Sequence, residues 1–211
     1  TKSTRKIGLG IMGLHDMLIK MEVSYASEEG RELAANVMQI VHEEALKTSE
    51  ELANEKGVCP SFDEHARPYR RNAALTSIQP TGTVSMIANC SSGCEPYFAL
   101  VNRKNVMDND SFIMVNPLFE EAAKSGGWYS TGLMERVAER GTVVGDPDVP
   151  EKWQRIFMCA QDISVDDHIQ MQAILQNNGV DAAISKTINM PSTATKDDVR
   201  RACLKGWALG C

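Results

Sequence analysis

The longest helical pattern in the chain lies between Ser27 and Gly57. Ser27 is a favourable N-cap, because its hydroxyl can accept a hydrogen bond from the first turn. Glu28 and Glu29 place negative charge at the positive end of the helix dipole. The apolar residues that follow recur close to every 3.6 positions: Leu33, Val37, Ile40, Val41, Ala45, Leu46 and Leu52. This spacing predicts an amphipathic helix that ends near Gly57.

Two further helices are predicted in the last third of the chain. Ser164 is the expected N-cap of the first, which has acidic residues in its opening turn and runs to Gly179. Thr195 opens the second, and Asp198, three residues later, completes a pattern similar to a capping box. This last helix is expected to run toward Gly210.

Two short apolar runs are predicted to be buried strands. One covers residues 73–78, and the other covers residues 182–189 and is ended by Pro191. Because helices separate the two runs, they indicate parallel strands joined by crossover helices, as in an α/β protein. Residues 101–150 mix helical pieces with many glycines and prolines, so they are predicted to form an excursion between core elements.

The apolar segment from Ile7 to Leu14 contains glycines at positions 8, 10 and 13, which fit the dinucleotide-binding fingerprint G-x-G-x-x-G. That fingerprint follows a strand and needs an acidic residue about 20 positions later, at the end of a second strand. Here the next long element is helical instead. We therefore predict that these glycines allow close packing of backbone against backbone.

The composition is that of a soluble globular protein, with 211 residues, of which 43% are hydrophobic and 24% charged. A formal net charge of -6 argues against a nucleic-acid partner, because phosphate backbones are bound by clustered positive charge. No apolar run approaches the roughly 18 residues of a membrane span, and the first residues lack the apolar core of a signal peptide. We therefore expect a cytoplasmic protein with no membrane partner.

The chain has six cysteines, and no two of them are spaced as a CxxC pair. The four histidines do not complete a zinc-ligand pattern with them either. Reduced and mostly buried thiols are therefore predicted, and no metal site.

Six consecutive residues after the first predicted strand have the composition of a phosphate-binding turn: Pro80, Thr81, Gly82, Thr83, Val84 and Ser85. The glycine lets a ligand approach the backbone closely, and the hydroxyls of Thr83 and Ser85 can donate hydrogen bonds to phosphate oxygens. A helix that begins near Val84 would add unpaired N–H groups, which attract anions. The alternative is a turn and N-cap that bind no ligand.

Three other features bear on a binding site. Residues 89–96 are rich in small and polar side chains, which suits a second loop over the site. Lys186 lies on the second predicted strand, where a buried ammonium needs an anion. A substrate phosphate and the carboxylate of Glu95 are equal candidates for that anion. His168 is expected to be partly exposed beside a carboxylate rather than to face a cofactor.

The segments Thr76 to Ala88 and Ser91 to Ala99 closely resemble the catalytic chain of ribonucleotide reductases, above all the adenosylcobalamin-dependent class II. The resemblance continues at residues 5–10, 51–57 and 184–191, in the same order. It implies a ten-stranded α/β barrel built from two parallel half-sheets joined by crossover helices, with this chain supplying much of the second half.

The same resemblance implies the chemistry. Residues 80–85 would hold the diphosphate of a ribonucleoside diphosphate, and residues 185–189 would lie on the last barrel strand. Adenosylcobalamin is the implied cofactor. The implied partners are the upstream half of the catalytic chain and a dithiol reductant such as thioredoxin, with a homodimer left open.

The chain also departs from the family pattern. The family carries its radical cysteine in an Asn-x-Cys-x-Glu loop, and that spacing does not occur in this sequence. We therefore expect residues 1–211 to be a fragment of the barrel domain, truncated at both ends, with no catalytic residue and no turnover of its own. The alternatives are a non-catalytic module that binds nucleotide phosphate and a fragment of a class I large chain.

Overall fold

The computed structural model describes residues 1–62, 69–105 and 111–211. The elements in chain order are α1 (Leu14–Lys20), α2 (Glu28–Lys56), α3 (Gly82–Ala88), β1 (Val101–Asn105), β2 (Ser111–Val115), α4 (Pro117–Ser125), α5 (Thr131–Arg140), α6 (Glu151–Ile156), α7 (Val165–Asn177) and α8 (Lys196–Ala208). Within the described ranges, no helix is both long enough and apolar enough to cross a membrane.

Three short extended segments lie side by side and parallel. Leu9 bridges Thr76, and Ile78 bridges Ile184, so the segment around residues 74–78 lies between the other two. The Ile78 amide donates to the Ala183 carbonyl, and the Ser185 amide donates to the Ile78 carbonyl. The predicted parallel arrangement is confirmed. The pairing is shorter than the predicted strands, since each pair of segments forms only one isolated bridge.

The three predicted helix caps are confirmed. The Ser27 hydroxyl accepts from the Gly30 amide at 3.0 Å at the start of α2, and the Ser164 hydroxyl accepts from the Asp167 amide at 3.1 Å at the start of α7. Thr195 forms a full capping box at the start of α8. Each cap satisfies a backbone donor that the first helical turn leaves unpaired. Sequence alone therefore located these three helix starts correctly.

The parallel segments and the helices α1, α2 and α7 share one core. Its buried side chains include Leu14, Met38, Ile78, Met171 and Leu175. A second core lies in the middle of the chain. It joins β1, α4, α5 and α6 through Leu100, Phe119, Leu133, Val137 and Phe157, among others. The predicted excursion therefore has its own hydrophobic core, although residues 106–110 of that stretch lie outside the described ranges.

The glycines near the start of the chain pack closely against the neighbouring segment, as predicted. A Cβ on Gly8 would overlap the Ser77 side chain, and a Cβ on Gly10 would overlap the Ser77 carbonyl oxygen and the Gln79 side chain. The space that a pyrophosphate would need is therefore already filled.

The cysteines differ in burial. Cys59, Cys94 and Cys159 are buried thiols, whereas Cys203 and Cys211 are exposed.

Candidate functional site

The predicted phosphate-binding turn connects the middle parallel segment to α3. Thr81 precedes the helix in the left-handed conformation, with φ 52° and ψ 26°, which is rare for a β-branched residue and concentrates at functional sites. The first helical bond runs from the Ser85 amide to the Thr81 carbonyl, at 2.8 Å. The amides of Gly82, Thr83 and Val84 are thus left without an intrahelical acceptor. Such amides attract anions.

The turn is clamped to the loop that follows α3. The Thr81 hydroxyl accepts a hydrogen bond from the Gly93 amide at 2.8 Å. Gly93 has φ 50°, and a Cβ there would lie 2.7 Å from the Gln79 carbonyl oxygen. Only glycine can bring the two loops this close. The second loop predicted at residues 89–96 is therefore packed directly against the turn.

The residues of the turn face different ways. Pro80, Gly82, Thr83 and Val84 are exposed, and a Cβ on Gly82 would meet no atom within 4 Å. Ser85 is buried instead, and its hydroxyl oxygen lies 2.9 Å from that of Ser92. The outward face of the turn thus presents free amides and the Thr83 hydroxyl, while Ser85 joins the turn to the second loop.

A cavity of about 320 Å³ opens beside the turn. Its lining combines hydroxyl, amide and carboxylate groups with a few apolar side chains: Ser85, Met86, Cys90, Ser91, Ser92, Glu95, Pro96, Tyr97, Phe98, Ala160, Thr187 and Asn189. This size lies at the lower end for small-molecule sites. Five of the eight residues predicted for the second loop line the cavity, since α3 turns the chain back on itself: Cys90, Ser91, Ser92, Glu95 and Pro96.

Asp16 on α1 fixes one wall of this cavity. Its carboxylate accepts from the Ser91 amide at 2.7 Å and from the Tyr97 hydroxyl at 2.5 Å. Burial, followed by the bond to Asp16, raises the pKa of Tyr97, so the phenol stays protonated. Sequence reasoning did not single out Asp16, because its partners lie more than seventy residues away along the chain.

His15 lies behind the same wall. It is fully buried, and its Nδ1 accepts a hydrogen bond from the Tyr97 amide at 2.9 Å. Burial lowers the pKa of His15 to about 4, and the nearby Asp16 carboxylate opposes that shift only in part. The imidazole is therefore neutral at physiological pH, and Nδ1 can serve as an acceptor.

Lys186 is paired with Glu95. Its Nζ lies 2.6 Å from Glu95 Oε2 and 2.9 Å from His168 Nδ1, and it also donates to the Thr187 carbonyl oxygen at 2.7 Å. The lysine side chain is fully buried. Because these three bonds use all three ammonium hydrogens, the carboxylate alternative is the one present, and Lys186 has no donor left for a phosphate.

The expectation for His168 is wrong. The residue is fully buried rather than partly exposed, and its ring contacts a carbonyl and an ammonium rather than a carboxylate. Its Nε2 lies 2.9 Å from the Ala160 carbonyl oxygen. Burial and the neighbouring Lys186 lower the pKa of His168. The first turn of α7 faces the core at His168, and the sequence pattern does not reveal this orientation.

Comparison with known proteins identifies the family. Residues 1–70 and 69–211 match the family described as "Ribonucleotide reductase, barrel domain". The chain belongs to this family. The barrel fold implied by the sequence resemblance is therefore confirmed, and the parallel segments around Leu9, Thr76 and Ile184 are part of a ribonucleotide reductase barrel domain.

Two relatives of this barrel domain are vitamin B12-dependent ribonucleoside-diphosphate reductases. The protein from Thermoplasma acidophilum is 43% identical over 215 residues, which cover 100% of this chain and 28% of that protein. The protein from Mycobacterium tuberculosis (strain CDC 1551 / Oshkosh) is 41% identical over 209 residues, which cover 98% of this chain and 30% of that protein. The chain thus spans less than a third of these relatives.

A solved structure shows the same fold. The alpha subunit of the Actinobacillus ureae class Id ribonucleotide reductase superimposes with a TM-score of 0.85, at 24% identity, over 99% of this chain and 38% of that subunit. At this identity the likeness concerns the fold alone. It agrees with the fold of a ribonucleotide reductase barrel domain.

Proposed function

We propose that this chain is part of a vitamin B12-dependent ribonucleoside-diphosphate reductase and that residues 80–85 hold the diphosphate of the substrate. The observation that carries the proposal is the open turn before α3. Three free amides and an exposed threonine hydroxyl surround Gly82, which has empty space in front of it. This is the chemistry that phosphate oxygens require, and it lies next to a cavity large enough for a sugar.

Within the turn, the residues have different tasks. The amides of Gly82, Thr83 and Val84 and the Thr83 hydroxyl would donate to the phosphate oxygens. Thr81 and Ser85 hold the turn against the second loop through Gly93 and Ser92. The ribose would lie over the cavity, where the half-buried Tyr97 and the side chains of the second loop limit the access of bulk water.

The reaction itself would depend on residues outside this sequence. Conversion of a ribonucleotide to a 2'-deoxyribonucleotide by radical chemistry needs a radical cysteine, and no Asn-x-Cys-x-Glu segment occurs in the chain. The relatives are more than three times as long as the matched region. We propose that the domain works within such a longer chain, with a dithiol reductant such as thioredoxin as the electron source and a homodimer as the assembly.

Adenosylcobalamin is the proposed cofactor, because the relatives at 41% and 43% identity are vitamin B12-dependent. When bound, this cofactor supplies the radical that starts the reaction. The cavity of about 320 Å³ is of a size for a sugar phosphate and not for a corrin ring. The described residues that line this cavity therefore do not form the binding site of the cofactor. Because both relatives are named vitamin B12-dependent, we propose that the chain is part of a class II reductase and not of a class I reductase.

Gly82 offers a selective test of the phosphate proposal. Gly82→Ala adds a Cβ into empty space, so the fold should accept it, but the methyl group would stand where a phosphate approaches. In the complete reductase we expect the dissociation constant for CDP to rise about tenfold or more, since well-placed donors lose contact with the ligand. Isothermal titration calorimetry measures this constant without any need for turnover.

Gly132→Ala is the matched control. Gly132 also lies in the first turn of a helix, α5, and a Cβ there meets only the end of the Arg136 side chain, at 3.8 Å. The control should bind CDP as the wild type does. If Gly82→Ala and Gly132→Ala bind CDP equally well, the turn does not hold the diphosphate. A wild-type reductase that fails to bind CDP would contradict the proposal more broadly.

A further inference from the structure

The ion pair between Lys186 and Glu95 forms part of the cavity wall. Glu95, Thr187 and Ala160 all line the cavity, and each is bonded to the buried cluster that Lys186 and His168 form beneath it. Glu95 Oε1 accepts from the Thr187 amide at 2.5 Å, while Oε2 accepts from Lys186. The carboxylate is thus held by two donors, both from the third parallel segment.

Within this cluster, Lys186 carries the only positive charge that faces Glu95. His168 is neutral for a structural reason: its Nε2 must carry the hydrogen donated to the Ala160 carbonyl, and its Nδ1 must then accept from Lys186. The lowered pKa of His168 agrees with this assignment. The cluster therefore holds one negative and one positive charge, which cancel.

Glu95 is the only carboxylate among the described residues that line the cavity. Its side chain remains 21% exposed, whereas Lys186 is fully buried behind it. Without the lysine, the charge of the Glu95 carboxylate would no longer be cancelled, and the carboxylate would repel a phosphate ester. This repulsion would work against an anionic ligand at this site.

We infer that Lys186 is a positioning residue that neutralises Glu95 and so admits the anionic diphosphate of the substrate to the cavity. The inference rests on the proposed function of the neighbouring turn. In this role, Lys186 raises the affinity for the ligand because it cancels the charge of Glu95, and it does not contact the phosphate itself. This differs from a purely structural role, in which the ion pair only ties the second loop to the third parallel segment.

Charge removal separates the two roles. In the complete reductase, Lys186→Met should raise the KM and the dissociation constant for CDP by about tenfold, since like charges that face each other cost binding energy, with a smaller change in kcat. Glu95→Gln should bind CDP more tightly than wild type, because the negative charge is gone. The double variant Lys186→Met with Glu95→Gln should recover most of the affinity that the single lysine variant loses.

Cytidine is the control ligand, because it lacks the charged diphosphate. Lys186→Met should change the affinity for cytidine far less than the affinity for CDP. Added salt should reduce the difference in CDP affinity between Lys186→Met and the wild type, since salt screens repulsion. If the double variant binds CDP as poorly as Lys186→Met, the role is structural and the inference is wrong. If Lys186→Met does not fold, Glu95→Gln decides instead: tighter CDP binding than in the wild type supports the inference, and unchanged or weaker binding contradicts it.

The two proposals can fail separately. If residues 80–85 do not hold the diphosphate, Gly82→Ala leaves CDP binding unchanged, whatever Lys186 does. If only the inference on Lys186 is wrong, Gly82→Ala still weakens CDP binding, while removal of Glu95 fails to restore the affinity of Lys186→Met.

Discussion

The Thr81 hydroxyl oxygen lies 2.8 Å from the Gly93 amide nitrogen, and this bond joins the candidate phosphate turn to the loop that lines the cavity. Thr81→Val keeps the side-chain shape but removes the acceptor, which leaves the partly buried amide unpaired. We expect the free energy of unfolding to fall by about 1–2 kcal/mol, measured by urea denaturation. Thr81→Ser, which keeps the hydroxyl, should lose clearly less. Equal losses in both variants would show that the hydrogen bond is unimportant.

Gly10 provides a test of the close backbone packing near the start of the chain. A Cβ at this position would overlap the Ser77 carbonyl oxygen, which belongs to the backbone of the adjacent segment and cannot rotate away. Gly10→Ala should therefore lower the free energy of unfolding by about 1–3 kcal/mol, the usual cost of overpacking. Gly132→Ala in α5 is the control, because its Cβ has room. A fully stable Gly10→Ala variant would contradict the packing interpretation.

Local signals in the sequence were sufficient for the helix caps and for the turn. Ser27, Ser164 and Thr195 each bond to an amide three residues later, so the information lies within one helical turn. The sequence likewise predicts the start of α3 near Val84, and the helix begins two residues earlier, at Gly82. In such cases the residue types and their spacing already determine the hydrogen bonds.

The walls of the cavity could not be predicted in the same way. Asp16 meets Ser91 and Tyr97 only because α1 packs beside the second loop, 75 and 81 residues further along the chain. The prediction for His168 is wrong for a related reason: its environment is set by Lys186, 18 residues away on another element. Contacts of this kind depend on the topology, which hydrophobic periodicity does not specify.

Asp146 should be a main anchor of the middle excursion. It is fully buried and accepts two hydrogen bonds of 3.0 Å from Arg136, through Nε and Nη2. Asp146→Asn leaves the guanidinium without the charge of its buried partner, and we expect a loss of about 2 kcal/mol in the free energy of unfolding. Thermal or urea denaturation measures the loss.

Asp148 supplies the matched control for Asp146. It pairs with the same Arg136 at 2.5 Å, but its side chain is 57% exposed. Exposed ion pairs contribute little, so Asp148→Asn should cost less than about 0.5–1 kcal/mol. Similar losses for the two substitutions would mean that the burial of Asp146 does not decide the strength of the interaction.

His15 should make the stability of the domain depend on pH. Its pKa is about 4 in the folded protein and returns to 6.5 on unfolding. Between these values the unfolded chain binds more protons than the folded one, so the free energy of unfolding falls as the pH drops below 6.5. The titration of His15 should lower the free energy of unfolding by about 2 kcal/mol at pH 5 and by about 3 kcal/mol near pH 4. Urea denaturation at pH 7 and pH 5 measures the first of these.

His15→Asn isolates that contribution, because its side-chain oxygen can replace Nδ1 as the acceptor for the Tyr97 amide. The buried His168, whose pKa is also lowered, titrates in both proteins and cancels in the comparison. The wild type should therefore lose about 2 kcal/mol more than His15→Asn between pH 7 and pH 5. An equal loss in both proteins would mean that folding does not lower the pKa of His15, so that folded His15 takes up its proton over the same pH range as the unfolded chain.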